Sequence, residues 1–330
     1  MAANRLRQPG SGTAVLSCAL GAWLAVALLG AESAAQNPGI GAESVAQIPG
    51  GEPQPSTSTW LQETPQPNVA GADPDDEPWF WQLTPDGLIY RSYLAGMREP
   101  RLAGVWEYDR KFGWMLDAAV GGRVGLVRYG TANSLRPEGW ELDFEGAAFP
   151  RLQPNHEKDL VAADFRYGVP LTYGFGPFTT KFAFYHLSSH LGDEYMLHHS
   201  DVERINYVRD ALVWGAAYYL GDDIRVYADI DWAFDTDGGA QPWHYQFGIE
   251  YCPLEPIHSF RGAPFVAINT EMREEVDFGG NFVVQAGWRW RGASGHMARF
   301  GVQYFQGKSD QFEFFRSNEQ KVGLGLWYDF

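Results

Sequence analysis

From about residue 79 the chain alternates apolar and polar side chains with period two, over runs longer than a strand of a soluble protein needs. Successive strand side chains point to opposite faces. "WELDFEGAA" at 140–148 therefore puts Trp140, Leu142 and Phe144 on one face and Glu141, Asp143 and Glu145 on the other. "DIRVYADIDWAF" sets Ile224, Val226, Ala228, Ile230 and Trp232 against Arg225, Tyr227, Asp229 and Asp231. "PWHYQFGIEY" and "NFVVQAGWRWR" repeat the pattern, with Trp243, Phe247, Phe282 and Trp288 opposite His244, Glu250, Gln285 and Arg289. A soluble sandwich also alternates, with one face wet. Its strands average about five or six residues, whereas several of these runs reach nine to twelve. Such runs fit strands that cross a bilayer with lipid outside and a polar lumen inside.

Twelve runs can be counted: 101–109, 113–129, 140–149, 159–169, 178–188, 204–219, 223–234, 242–251, 263–271, 280–291, 298–306 and 321–330. Single-chain bacterial barrels have an even number of strands. The closing "GLGLWYDF" resembles the terminal signal of bacterial outer-membrane barrels, with Gly325, Tyr328 and the final Phe330 in the matching places. Gly323 departs from it, standing where a polar residue is usual. The expected fold is all-β: a transmembrane antiparallel β-barrel of about twelve strands in the bacterial outer membrane. With Phe330 in the periplasm, 189–203 and 307–320 become extracellular connections and the "GDD" link at 221–223 a short periplasmic turn. "CPLEPIHSFRGAP", beginning at Cys252, is long for a periplasmic turn.

Residues 1–35 are expected to be a signal peptide: Arg5 and Arg7 precede an apolar stretch at 14–31, and small residues follow. A retained anchor helix is the competing reading, and Cys18 in "VLSC" only weakly fits a lipoprotein cleavage site. Cleavage would leave Cys252 as the sole cysteine, with no intramolecular disulfide. Residues 36–78 are rich in Pro, Gly, Gln, Ser and acids, and read as a disordered linker that closes with "DPDDEP". The barrel domain then covers 79–330, with a short periplasmic lead-in. A formal net charge of −16 disfavours nucleic acid as a partner, and the expected partners are membrane lipids. The oligomeric state is left open.

A twelve-stranded lumen lies between the filled interior of eight strands and the open channel of sixteen. Its inward set holds Asp117, Glu141, Asp143, Glu145, Asp229, Asp231 and Glu250, together with Arg225, Arg289, Arg291 and Arg299. Mutual pairing of these charges gives a plugged, structural barrel, since unpaired buried charge is costly. A narrow cation-preferring pore is the alternative. "YLAGMREPRLAG" at 93–104 fits a lead-in that caps or plugs the barrel.

Candidate chemistry centres on "FYHLSSHLGDEY" at 184–195. His186 and Ser188 share a strand face with Phe182, Phe184 and His190. An imidazole within reach of a serine hydroxyl can activate it as an acyl nucleophile, and a third group must fix the imidazole tautomer. Asn206 is the best placed by sequence, with Asp193, Asp201 and Glu203 as others. The bland alternative is a strand end running into a polar loop. Metal binding is a third reading, because His186, His190, His198 and His199 cluster around Asp193 and Glu194, although the spacing fits no standard site.

The His-x-Ser pair followed by an Asn in the next strand resembles outer-membrane phospholipase A, and more loosely the lipid A deacylases. The resemblance implies lipid acyl ester hydrolysis at the outer barrel surface, with His186 as base, Ser188 as nucleophile and Asn206 orienting. It also implies Ca2+, for which no clear ligand match is found, and Ser189–Gly192 departs from the family's residues after its serine. A wider resemblance, on "LIYRSYLAGMREPR" at 88–101, "GGRVGLVRYG" at 121–130 and "YHLSSHLGDEY" at 185–195, is to the bacterial family named domain of unknown function 1207. It implies no activity.

Overall fold

The computed structural model describes residues 77–154, 159–199, 202–255 and 261–330. The expected signal peptide, Cys18, nearly all of the 36–78 linker and Asp201 lie outside these residues. A short strand β1 (Phe80–Leu83) precedes β2 (Leu102–Asp109), β3 (Gly113–Gly130), β4 (Gly139–Gln153), β5 (Asp159–Phe175), β6 (Phe178–Leu191) and β7 (Val208–Leu220). The chain continues through β8 (Ile224–Asp237), β9 (Trp243–Tyr251), β10 (Ala263–Arg273), β11 (Gly279–Arg291), β12 (Met297–Lys308) and β13 (Asn318–Asp329).

Every pairing from β2 to β13 is antiparallel between sequence neighbours, and β13 pairs back onto β2, with Tyr328 opposite Leu102 and Lys321 opposite Asp109. The twelve strands β2–β13 thus close a barrel, and each matches one run counted from the alternation. Closure leaves no free edge, the condition for carrying strands through hydrocarbon. Among the described residues one short α-helix occurs, α1 (Asp193–His198), following Gly192.

The side-chain parity holds along the strands between three bulges, at Gly125/Val127, Arg151/Leu152 and Asp210/Ala211. Trp140, Phe144, Ile230, Trp232, Phe247, Phe282, Trp288 and Leu324 are exposed on the outer wall, while Glu141, Asp143, Asp229, Asp231, Glu250, Arg289 and Arg299 are buried within it. The outer belt is aromatic toward its two rims. Trp106, Tyr108 and Trp114 cluster at the end opposite the C-terminus, and Trp81 packs on Tyr129 near the other.

The lumen is filled. Between β1 and β2 the chain leaves the wall and runs through the barrel interior, burying Leu88, Ile89, Tyr90, Tyr93, Leu94 and Ala95. Barrel carboxylates and guanidiniums bind its backbone: Leu94 N donates to Glu250 Oε1 at 2.6 Å, Arg225 donates to the carbonyl of Arg91 at 2.7 Å, and Arg101 donates to that of Leu94 at 2.9 Å. Tyr93 stacks on Tyr227, with ring centroids 3.7 Å apart, and its hydroxyl donates to Asp229. From the opposite end the β12–β13 connection folds inward, burying Phe312 and Phe315 beside Tyr207. Beneath it Lys321 and Arg151 share Asp117, Asp310 and Glu319 at 2.7–3.3 Å. Many of the inward charges are therefore paired, whereas Arg289 and Arg291 bond to the Glu255 carbonyl and to Cys252 Sγ, and residues of the 93–104 motif fill part of the lumen.

Candidate functional site

β6 runs away from the C-terminal end of the barrel, and its residues alternate across the wall. Lys181, Ala183, Tyr185, Leu187 and Ser189 are buried inside, while Phe182 is exposed and Phe184, His186, Ser188 and His190 are half-buried on the outer face. His186 and Ser188 thus sit on the lipid-facing side, near the end remote from the C-terminus.

The residue that meets His186 is Asp210. It lies directly opposite on β7, and its Oδ1 is 2.6 Å from His186 Nδ1. An ionised carboxylate can only accept, so Nδ1 carries the donated proton and Nε2 is left as the basic nitrogen. The ring also stacks on Tyr167 of β5, centroid to centroid at 5.1 Å. Phe165 stands opposite Ser188 on the same neighbouring strand. These contacts fix the imidazole plane and leave an apolar approach around it.

Asn206 occupies a different place. It precedes β7, adopts a left-handed backbone (φ 50°) and is held through its N–H by Glu313 Oε1 at 3.0 Å. The tautomer-fixing contact expected of it is made by Asp210. Asp193 begins α1, Glu203 is exposed, and neither is bonded to His186. Ser188 Oγ makes no hydrogen bond among the described residues, and its neighbour Ser189 is turned inward to Asp164. Residues two apart on a strand rise about 6.6 Å, a gap that serine and histidine rotamers can close, and such bonds often tighten only once substrate binds.

Asp210 escaped the sequence reading although a signal for it exists. The outward set of β7 is Val208, Asp210, Leu212, Trp214, Ala216, Tyr218 and Leu220, and a carboxylate on a lipid-facing stripe is costly unless it is used. The unshifted β6–β7 pairing sets its position, and a bulge in β8 lies beside it: Asp210 opposes Asp235 while Ala211 opposes Ala233, so Phe234 is the extra residue. Bulges of this kind re-aim side chains next to active sites.

The four clustered histidines do not converge. His190 accepts from Arg204 at 2.9 Å, His198 Nδ1 lies 2.8 Å from Asp159, and His199 Nδ1 lies 3.1 Å from the carbonyl of Tyr195. Calcium takes six to eight oxygen ligands. Asp210 and Asp235 face each other beside the site, but among the described residues no three carboxylate, imidazole or thiol groups gather. The donor set does not fit that ion, and no step is routed through it.

A closed barrel with a lipid-facing aromatic belt and a charge-paired interior is an outer-membrane β-barrel protein of the bacterial type. Within that class the chain belongs to the family described as protein of unknown function DUF1207, whose model matches residues 59–330. No curated protein sequence matches the chain. Solved structures of similar architecture include the outer membrane phospholipase A from Escherichia coli, at 10% identity over 73% of this chain and 94% of that one (TM-score 0.47). The KdgM porin matches at 11% identity over 69% and 98% (TM-score 0.40). A triple mutant of the Rhodopseudomonas blastica porin matches at 9% over 70% and 98% (TM-score 0.30). At these identities the likeness is one of barrel architecture alone.

Proposed function

We propose that this barrel hydrolyses acyl esters of membrane lipids, with Ser188 as nucleophile, His186 as general base and Asp210 as the residue that orients it. The observation that carries the reading is the 2.6 Å contact between His186 and Asp210 beside Ser188 on the lipid-facing wall. With the C-terminus in the periplasm, the three side chains stand at the outer leaflet. Ser188 Oγ attacks the ester carbonyl while His186 Nε2 takes its proton, and the imidazolium is balanced by the Asp210 carboxylate. Collapse of the tetrahedral adduct breaks the ester bond, and His186 returns the proton to the departing lysolipid oxygen. Water, deprotonated by the same imidazole, then attacks the acyl-serine, and fatty acid leaves as Ser188 recovers its proton.

The other reading is a barrel without enzymatic activity, structural or a narrow pore. The paired charges and the inserted 84–101 segment favour its structural form. Fatty acid release from phospholipid by the purified barrel decides between the two classes, with Ser188→Ala and His186→Ala assayed beside wild type. The hydrolase reading expects release from wild type alone. Equal release from all three proteins overturns it.

A further inference from the structure

Most guanidiniums inside the barrel meet a carboxylate, but three near its C-terminal end do not. Arg91 belongs to the segment that enters the lumen, and Arg289 and Arg291 are buried inward residues of β11. Among the described residues none of the three forms an ion pair. Arg289 bonds to the Glu255 carbonyl at 2.8 Å and Arg291 to Cys252 Sγ at 3.2 Å, both neutral acceptors. Arg289 Nε and Nη2, Arg291 Nε and Arg91 Nη2 are buried without a hydrogen-bond partner. Water can satisfy such N–H groups, but it leaves the charge in place, and an unpaired buried charge is costly.

Arg91 and Arg291 line one cavity of about 40 Å³, together with Arg225, whose Nε is also unbonded. At about 10–15 Å³ per water, that space holds roughly three waters. Asp222 and Asp223 of the β7–β8 turn and the terminal Phe330 stand at its rim. With the C-terminus in the periplasm, this is the periplasmic mouth of the barrel. The carboxylates around the cavity are already engaged. Asp222 pairs with Arg136 at 3.0 Å, and Glu250 takes Leu94 N and Arg225. Asp329 is held by Arg101 and Arg299 at 3.0 and 2.6 Å. Asp223 is left over, but it is exposed at the rim, where solvent ions screen it. The inner part of the cavity therefore carries uncompensated positive charge.

We propose that this cavity binds a small inorganic oxyanion of the phosphate type, drawn from the periplasm. The oxygens accept from Arg91, Arg291 and Arg225 through N–H groups that nothing else bonds. Guanidiniums suit such a ligand because their planar forks match the oxygens of a phosphate. Size sets the limit, since room for roughly three waters leaves none for a sugar or a base. The bound ion ties the inserted segment, through Arg91, to the barrel wall, through Arg291.

The test titrates inorganic phosphate into the purified barrel in detergent micelles, followed by calorimetry, with sodium chloride at matched ionic strength as the blank. One phosphate per barrel is expected. Phosphate, and not chloride, should also delay urea unfolding, raising the folding equilibrium constant about 100-fold at 100 times Kd. Arg91→Met and Arg291→Met should each weaken binding about tenfold or more, the loss of one charge-assisted hydrogen bond. The two residues lie on different elements, so either variant decides if the other fails to fold. Arg110→Ala, an exposed arginine at the opposite end of the barrel, should bind as wild type does. A wild type that phosphate neither binds nor stabilises overturns the proposal. Unchanged affinity in a folded Arg91 or Arg291 variant does so as well, and so does an equal loss in Arg110→Ala, which marks a diffuse charge effect.

Discussion

Replacing Asp210 by Ala tests whether the outward carboxylate serves chemistry or the fold, because only the first role lowers turnover in protein that is still folded. Both partners of the His186–Asp210 contact are about a quarter exposed at the side chain, so water can partly substitute for the lost acceptor. A hydrogen bond to a charged group contributes about 1.5–3 kcal/mol, which corresponds to roughly 10- to 150-fold in rate. Loss of tautomer control in a buried triad reaches about 10⁴-fold. For this half-open site a fall of about 10²-fold in kcat, with KM little changed, is expected. Asp210→Asn supplies no charge to balance the imidazolium and can donate to Nδ1, holding the wrong tautomer, so it should lose at least as much. Stability should move less. Asp210→Ala loses the part-exposed bond to His186, and relief of the repulsion from Asp235 directly opposite returns only a few tenths of a kcal/mol, so the variant should unfold in urea somewhat earlier than wild type while remaining folded in the assay. The assay is titrated fatty acid release from phospholipid micelles, run beside urea unfolding of the same preparations. A folded Asp210→Ala variant with wild-type turnover, while Ser188→Ala is inactive, would falsify the orienting role.

Two further outcomes follow from the interior. Lys321→Met removes a buried ammonium that holds Glu107, Asp117 and Asp310 at 2.7–2.8 Å, leaving Asp117 to Arg151, Asp310 to Arg151 and Arg98, and Glu107 with no cation among the described residues. Breaking such a cluster costs about 3–5 kcal/mol, read as an earlier midpoint in urea, and an unmoved midpoint contradicts the pairing. Planar bilayers containing wild type should stay electrically quiet, whereas replacing both 88–100 and the inward-folded 309–317 with Gly/Ser linkers should give steady conductance. A conducting wild type, or a closed excised variant, refutes the plug.

The fold was legible because a barrel wall forces one rule on every residue. Outward positions face lipid and inward positions face a polar lumen, so parity alone separates Trp140 from Glu141 and Ile230 from Asp229, and the structure keeps each assignment. What parity cannot reveal is where the chain quits the wall. Residues 84–101 carry Tyr90, Tyr93 and Leu94 without alternation, since a segment inside the lumen is surrounded by protein on all sides. The charges that recognise it, such as Glu250 and Arg225, are spread over strands far away in sequence.

The same logic explains the partial legibility of the site. His186 and Ser188 lie two apart on one strand, so their shared face could be read directly. Their partner depends on the β6–β7 register, and that register is set by how much chain is spent on the intervening loop and α1. A loop of unknown path places either Asn206 or Asp210 beside the imidazole on equally simple grounds. The structure spends the chain so that Asn206 is taken up in the turn, its backbone bound by Glu313 from the inward-folded β12–β13 connection. The plug therefore bears on the outer site: by anchoring the start of β7 from within, it sets the register that brings Asp210 opposite His186.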